Sequence, residues 1–309
     1  MEFFKPNTKI DFMAQRKGAA VLSIILFALS LISLAINGLN WGLDFTGGTQ
    51  IQLSFPEEAD LNKIRDTLEN GGFREAVVIS YGTSKDVLVS LAPKKGVAAD
   101  GGKDTTVSQV TQLLPNAKIQ QVDMIGAVVG QELATKGVLA IVVALLGTMI
   151  YIALRFDFRF AVGSTVALIH DPVLILGVFS FLHLEFNLIV LAAVLTVIGY
   201  SLNDTIVIFD RVRENFRKLR KASPVDVINQ ATNQTLSRTI MTSVLTLVVV
   251  LALFFLGGNM LHGFALALII GIVVGTYSSI YVAGSLSLAL GVTRQNLLPP
   301  SKESLDDRP

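Results

Sequence analysis

The sequence predicts an α-helical membrane protein with six spans and one folded α+β domain inserted between the first two. Six windows of the 309-residue chain are long and apolar, and few charges fall inside them. Only 16% of residues are charged, against about 25% in ordinary soluble domains, and 51% are hydrophobic. The segment between the first two windows alternates and turns as a compact domain does.

A bilayer core about 30 Å thick requires roughly 20 apolar residues in a helix. Lipid offers the backbone no hydrogen-bond partners, so helices are the expected solution. The windows run over 18–40, 137–154, 160–182, 186–209, from just after Arg238 to about Leu256, and within 263–293. Lys5, Lys9, Arg16 and Lys17 precede the first, and Arg155 and Arg159 lie between the second and third. Seven Lys and Arg residues, Arg211 to Arg238, join the fourth to the fifth, whereas His183-Leu184-Glu185 and 257–262 contain none. This asymmetry predicts a multi-pass membrane protein with both termini in the cytoplasm. The expected order is an N-terminus over 1–17, a span over 18–40, an extracytoplasmic domain over 41–135, a five-helix bundle over 136–293 with a cytoplasmic loop at 210–238, and a cytoplasmic tail over 294–309. Ser33-Leu34-Ala35 resembles a cleavage site, but the apolar run is too long for a signal peptide and five spans follow.

The inserted segment reads as β-α-β-β-α-β: strands at 49–55, 76–80, 86–92 and 117–125, and helices at 61–72 and 106–114, the second stopped by Pro115. That order belongs to the split βαβ, ferredoxin-like unit. Residues 94–104, rich in Gly, Lys and Asp, read as a loop.

Polar groups at membrane depth are costly and mark function or packing. Asp204 lies seven residues before Arg211, so about 10 Å into the membrane. Helical spacing places it on one side with Thr196, Tyr200, Asn203, Val207 and Arg211. It reads as a functional carboxylate, with helix packing as the plainer alternative. Arg238 opens the antiparallel fifth span at a similar height, followed on its face by Thr242 and Thr246. It is either the partner of Asp204 or an anchor reaching the interface. Burial and a neighbouring guanidinium act oppositely on a carboxyl group, so a small movement of such a pair changes its protonation. Asp171 lies midway along the third span in LIHDPVLI. It is either a proton-relay group or a local cap for backbone groups freed by Pro172. His170 beside it occupies a different helix face and reads as structural. Ala267, Gly271, Gly275, Ser279 and Ala283, each four apart, form a close-packing stripe on the sixth span. The charged run at 210–221 reads as a solvated helix extension. Ser223-Pro224 caps a further helix along the inner membrane surface.

Cysteine is absent, so disulfides and Cys-bound metals are excluded. No basic, aromatic-interleaved face suggests nucleic acid, and no cofactor or metal motif appears. Without a nucleotide loop, HExxH or GxSxG, catalysis of its own is not expected. An intramembrane aspartyl protease would want Gly-x-Gly-Asp, and Asp204 follows Ser201-Leu202-Asn203 instead.

NWGLDFTGGT (40–49), containing Gly42, Asp44, Gly47 and Gly48, resembles the glycine motif of the SecF family of the bacterial Sec protein-export machinery. GYSLNDTIVIFDRVREN (199–215) and TLSRTIMTS (235–243) are similar to that family's fourth span and the start of its fifth. The resemblance covers nearly the whole chain and implies an RND-like helix bundle. It implies work with SecD, association with SecYEG and YajC, often near YidC, and use of the proton-motive force to draw unfolded polypeptide out after the ATP-driven SecA step. It implies a part in proton passage for Asp204 and Arg238, and polar family positions for Asp171 and Asn203. A passive scaffold for SecD, or an RND-type exporter of small molecules or lipids, would be the rivals. The exporter would want a larger apolar external pocket than a domain of about 95 residues provides.

Overall fold

Six helices of the computed structural model, which describes residues 9–73, 76–81, 83–92, 102–219 and 221–293, are long and apolar enough to cross a membrane. The first is α1 (Arg16–Asn37). The inserted domain follows as β1 (Asn40–Trp41), the single turn α2 (Leu43–Thr46), β2 (Gly48–Ser54), α3 (Leu61–Asn70), β3 (Val77–Tyr81), β4 (Thr83–Leu91), α4 (Gly102–Leu113) and β5 (Lys118–Ile125). The bundle continues with α5 (Ala127–Arg155), α6 (Phe158–Phe181), β6 (Glu185–Phe186), α7 (Leu188–Lys218) and α8 (Pro224–Leu256). Its sixth span is α9 (Gly258–Ser278), a π-helical turn at Ser279–Ala283 and α10 (Gly284–Ala289). Lys5, Arg220, the tail 294–309 and most of the loop expected at 94–104 lie outside the described residues.

The helices sort by what they bury. α6, α7 and α9 are central, whereas α1, α5 and α8 expose most of their apolar side chains. In α1 the buried residues are Ser23, Ser30 and Ser33, while Ile24, Ile25 and Ile36 are exposed. Water would punish that inversion; lipid permits it, because close helix contact favours small side chains inside. Gly177 of α6 shows the closeness: a Cβ there would come 2.3 Å from the Ser30 side chain. On the sixth span, a Cβ at Gly271 or Gly275 would lie 2.2 Å from Val197 or 3.0 Å from Ser201 of α7.

At the charged end of the bundle, Phe12 and Met13 join Phe156, Phe160, Phe209 and Phe216 in one apolar cluster. The amide sides of α8 hold the approaching chain, with Met13 N–H donating to Asn229 Oδ1 (2.9 Å) and Asn233 Nδ2 to the Ile10 carbonyl (2.8 Å). The charged run continues α7 to Lys218, bridged by Arg155–Asp210 and by Glu214 to Arg211 and Lys218. Ser223 and Asp226 form a capping box with Pro224 in the first turn. The helix they start is not a separate surface helix. It runs unbroken through Arg238 as α8, since no breaker stands between Pro224 and the apolar residues of the fifth span.

In the inserted domain, the four strands of the sheet stand in the order β3-β4-β2-β5, and every neighbouring pair is antiparallel. Asp60 caps α3 by accepting from Asn62 and Lys63 N–H groups, and Gly71 and Gly72 end it. Ile51, Leu53, Val87, Val89 and Leu91 alternate inward against Ile64 and Leu68 of α3 and Val110 of α4. β4 starts three residues earlier than the sequence pattern indicates, and α4 four earlier.

Candidate functional site

Asp204 is 3% exposed, on the buried side of α7 with Val197, Ser201, Thr205 and Ile208. Its Oδ2 has no hydrogen-bond partner, and neither has Oγ1 of Thr239, a buried residue of the adjacent α8. The polar stripe expected around Asp204 is therefore split. Thr196 and Asn203 face outward, and Tyr200 turns to α8, where its hydroxyl donates to Ser243 Oγ at 3.4 Å. One residue is 100° of helix, which is enough to move Asn203 from the packed face to the open one.

Arg238 does not pair directly with Asp204. Its charge reaches Asp204, but no ion pair or hydrogen bond joins them. Arg238 stands on the exposed side of α8, and the next residue, Thr239, is the one turned inward. The carboxylate is thus left without a direct cationic partner, with the charge of Arg238 acting on it from the exposed side of α8.

Asp171 is fully buried and fully bonded. Its Oδ2 accepts from Ser201 Oγ of α7 (2.6 Å) and Ser278 Oγ of α9 (2.8 Å), and its Oδ1 meets His170 Nδ1 at 3.0 Å. The local cap expected beside Pro172 is replaced by a knot across three helices. His170 is no bystander either: the imidazole is long enough to reach a neighbour's carboxylate although the two Cβ atoms diverge. Ser201 and Ser278 were not singled out from the sequence. Ser201 stands one turn before Asp204, and Ser278 sits within the small-residue span, where its hydroxyl looks like packing.

The glycine motif forms a joint between the inserted domain and the bundle. β1 pairs in parallel with β6, and Gly42 N–H donates to the Phe186 carbonyl at 2.8 Å. Asp44 Oδ2 accepts from Leu188 N–H (2.9 Å), so the motif caps the first turn of α7. Gly47 (φ 73°) and Gly48 (φ 141°) turn the chain into β2 through backbone that side chains rarely adopt. Gly130 of α5 packs on the backbone of Phe45 and Gly47, and Trp41, Phe45 and Phe186 form an aromatic cluster.

Glu185 is part of this joint and was not anticipated; a Cβ at Gly42 would lie 2.7 Å from its Oε1. Burial first and the nearby Asp44 second raise its carboxyl above the usual range, against a lowering hydrogen bond from Asn187. A raised folded value means the contribution of neutral Glu185 is full below the ordinary carboxylate range and is lost as pH rises through the folded value. Glu185→Gln is expected to keep the joint closed at high pH. Hydrogen exchange at Gly42 N–H checks this: wild type should lose protection with rising pH beyond the intrinsic rate, and the variant should not.

Two family models match. Protein export membrane protein SecD/SecF, C-terminal, covers residues 105–293, and the SecD/SecF GG Motif covers 32–55. The protein translocase subunit SecF of Vibrio alginolyticus is 47% identical over 303 residues, 98% of this chain and 96% of the relative. That of Pseudomonas aeruginosa is 47% identical over 301 residues, 97% and 98% of the two chains. The crystal structure of SecDF, a translocon-associated membrane protein from Thermus thermophilus, superposes with a TM-score of 0.81 at 37% identity. The match covers 93% of this chain but spans only 39% of that longer one. With its glycine joint and its bundle both matched, and near-full-length relatives among SecF subunits, the chain belongs to the SecF family of protein translocase subunits.

Proposed function

We propose that the chain, with a SecD partner, uses the proton-motive force to draw preproteins through the SecYEG channel after the SecA step, with YajC and YidC as further associates. It has no catalytic chemistry of its own. It sits in the inner membrane with both termini cytoplasmic, and the inserted domain is an extracytoplasmic, ferredoxin-like unit. The strand order β3-β4-β2-β5 supports that last assignment.

Asp204 carries this reading: a carboxylate buried at membrane depth, with Oδ2 unpartnered and the charge of Arg238 acting on it without a bond. Protonation of Asp204 changes its attraction to Arg238, α7 to α9 shift, and the inserted domain moves against that of SecD. Arg238→Met is expected to assemble with SecD in membrane vesicles yet lose the protonophore-sensitive part of preprotein export. A scaffold role predicts unchanged export by the assembled variant, and that result would overturn the proposal.

A further inference from the structure

Resting on the proton-driven reading above, we propose that His170 is a second proton carrier, loaded from the side of the inserted domain through the α1–α6 seam and coupled by Asp171 to α9. His170 is 5% exposed, its Nδ1 is committed to Asp171, and its Nε2 is buried without any partner. A buried ring nitrogen with neither donor nor acceptor is costly unless it exchanges a proton or a water. It lies eleven residues before Phe181, so about 16 Å below that end of α6.

Polar groups lead towards it. Asn40 Nδ2 donates to the His183 carbonyl, and His183 Nδ1 contacts the Ser180 carbonyl at 2.9 Å. Ser33 Oγ donates to Ser180 Oγ (3.0 Å) and accepts from Asn37 Nδ2 (3.4 Å). One turn deeper Ser30 lies on Gly177; Phe27, one turn further along α1, stacks on His170, two turns further along α6, centroids 6.2 Å apart. Small and hydroxyl-bearing residues thus line this contact, and Phe27 stands between them and the imidazole.

The chemistry is proton transfer only. A proton from water on that side adds to the Nε2 lone pair, and the proton on Nδ1 is free to pass to Asp171 Oδ1. No bonds change other than N–H and O–H. With Asp171 ionised, loading takes the pair from a net charge of −1 to zero. Ser201 and Ser278 hydroxyls donate to Asp171, so that change is felt on α7 and α9 at once. Ser278 adjoins the π-helical turn Ser279–Ala283, and such turns are frequent at functional sites. Of the elements packed here, α7 brings Asp204, one turn from Ser201, and points Tyr200 at α8. α9 brings Tyr277, whose hydroxyl donates to the Ala19 carbonyl, and α1 has no titratable side chain from Gly18 to Asn37.

The chain has three histidines, so 15N-histidine NMR of the full chain with SecD in liposomes resolves His170, assigned by its loss in His170→Gln. The expected result is an Nε2 signal that converts from imidazole to imidazolium when pH falls on the inserted-domain side alone, and whose titration shifts in Asp171→Asn. His170→Gln should assemble with SecD and lose proton-driven export together with its pH profile. An Nε2 signal unmoved by pH on that side overturns the proposal, as does export by His170→Gln with the wild-type pH profile, whatever its yield. If Asp204→Asn abolishes proton-driven export while His170→Gln does not, only the inference about His170 fails. If neither variant alters export, the proton-driven reading falls with it.

Discussion

Asp204→Asn is expected to remove proton-driven export almost completely while leaving a folded, SecD-bound protein. Asparagine keeps the shape of the buried side chain, so no cavity opens among Val197, Ser201 and Ile208. It even relieves a cost, since an unpartnered charged oxygen becomes part of a neutral amide. What it removes is the ability to change charge. One charge crossing the membrane is worth about 2.3 kcal/mol per 100 mV, or roughly a 50-fold bias on a two-state motion. The variant should therefore run at the rate seen with a protonophore present, and Asp204→Glu should retain part of the driven rate. Export kinetics in energised vesicles, with assembly checked by co-purification, separate these outcomes. Undiminished driven export by Asp204→Asn would exclude the carboxylate as the coupling group.

Gly48→Ala is expected to be the most damaging small change outside the bundle. A Cβ at Gly48 would lie 2.3 Å from the Leu91 carbonyl oxygen, and backbone cannot yield as a side-chain tip can. Its φ of 141° adds strain of about 1–3 kcal/mol for any residue with a Cβ. Relief requires moving β2 away from β4 at the Thr49–Leu91 pair. That move pulls on the joint that seats the inserted domain on α7. Thermal unfolding and hydrogen exchange of the domain should show the loss, with Gly126→Ala as a neutral control because its Cβ meets nothing. An unchanged melting temperature for Gly48→Ala would contradict this geometry.

The spans were legible because lipid imposes a coarse rule, about 20 apolar residues each, that local sequence alone satisfies. The element order of the inserted domain was legible for a similar reason, since alternation and Gly or Pro stops are local signals. The polar knot was not. Asp171, Ser201 and Ser278 stand on three helices, and their meeting depends on crossing geometry that no single periodicity encodes. Asp204 and Arg238 illustrate the finer failure: opposed helices put them at one height, but only packing decides that Thr239, not Arg238, turns inward. Glu185 escaped notice because its setting comes from Gly42 and Asp44, more than 140 residues earlier.

Proton flux is the most direct readout of Asp204 as the coupling group. Liposomes holding the chain with SecD, an imposed pH gradient and an internal pH dye report it without the rest of the export machinery. Inward proton movement above protein-free liposomes is expected in wild type, with a return to the protein-free rate in Asp204→Asn. Equal flux in wild type and Asp204→Asn would contradict that role.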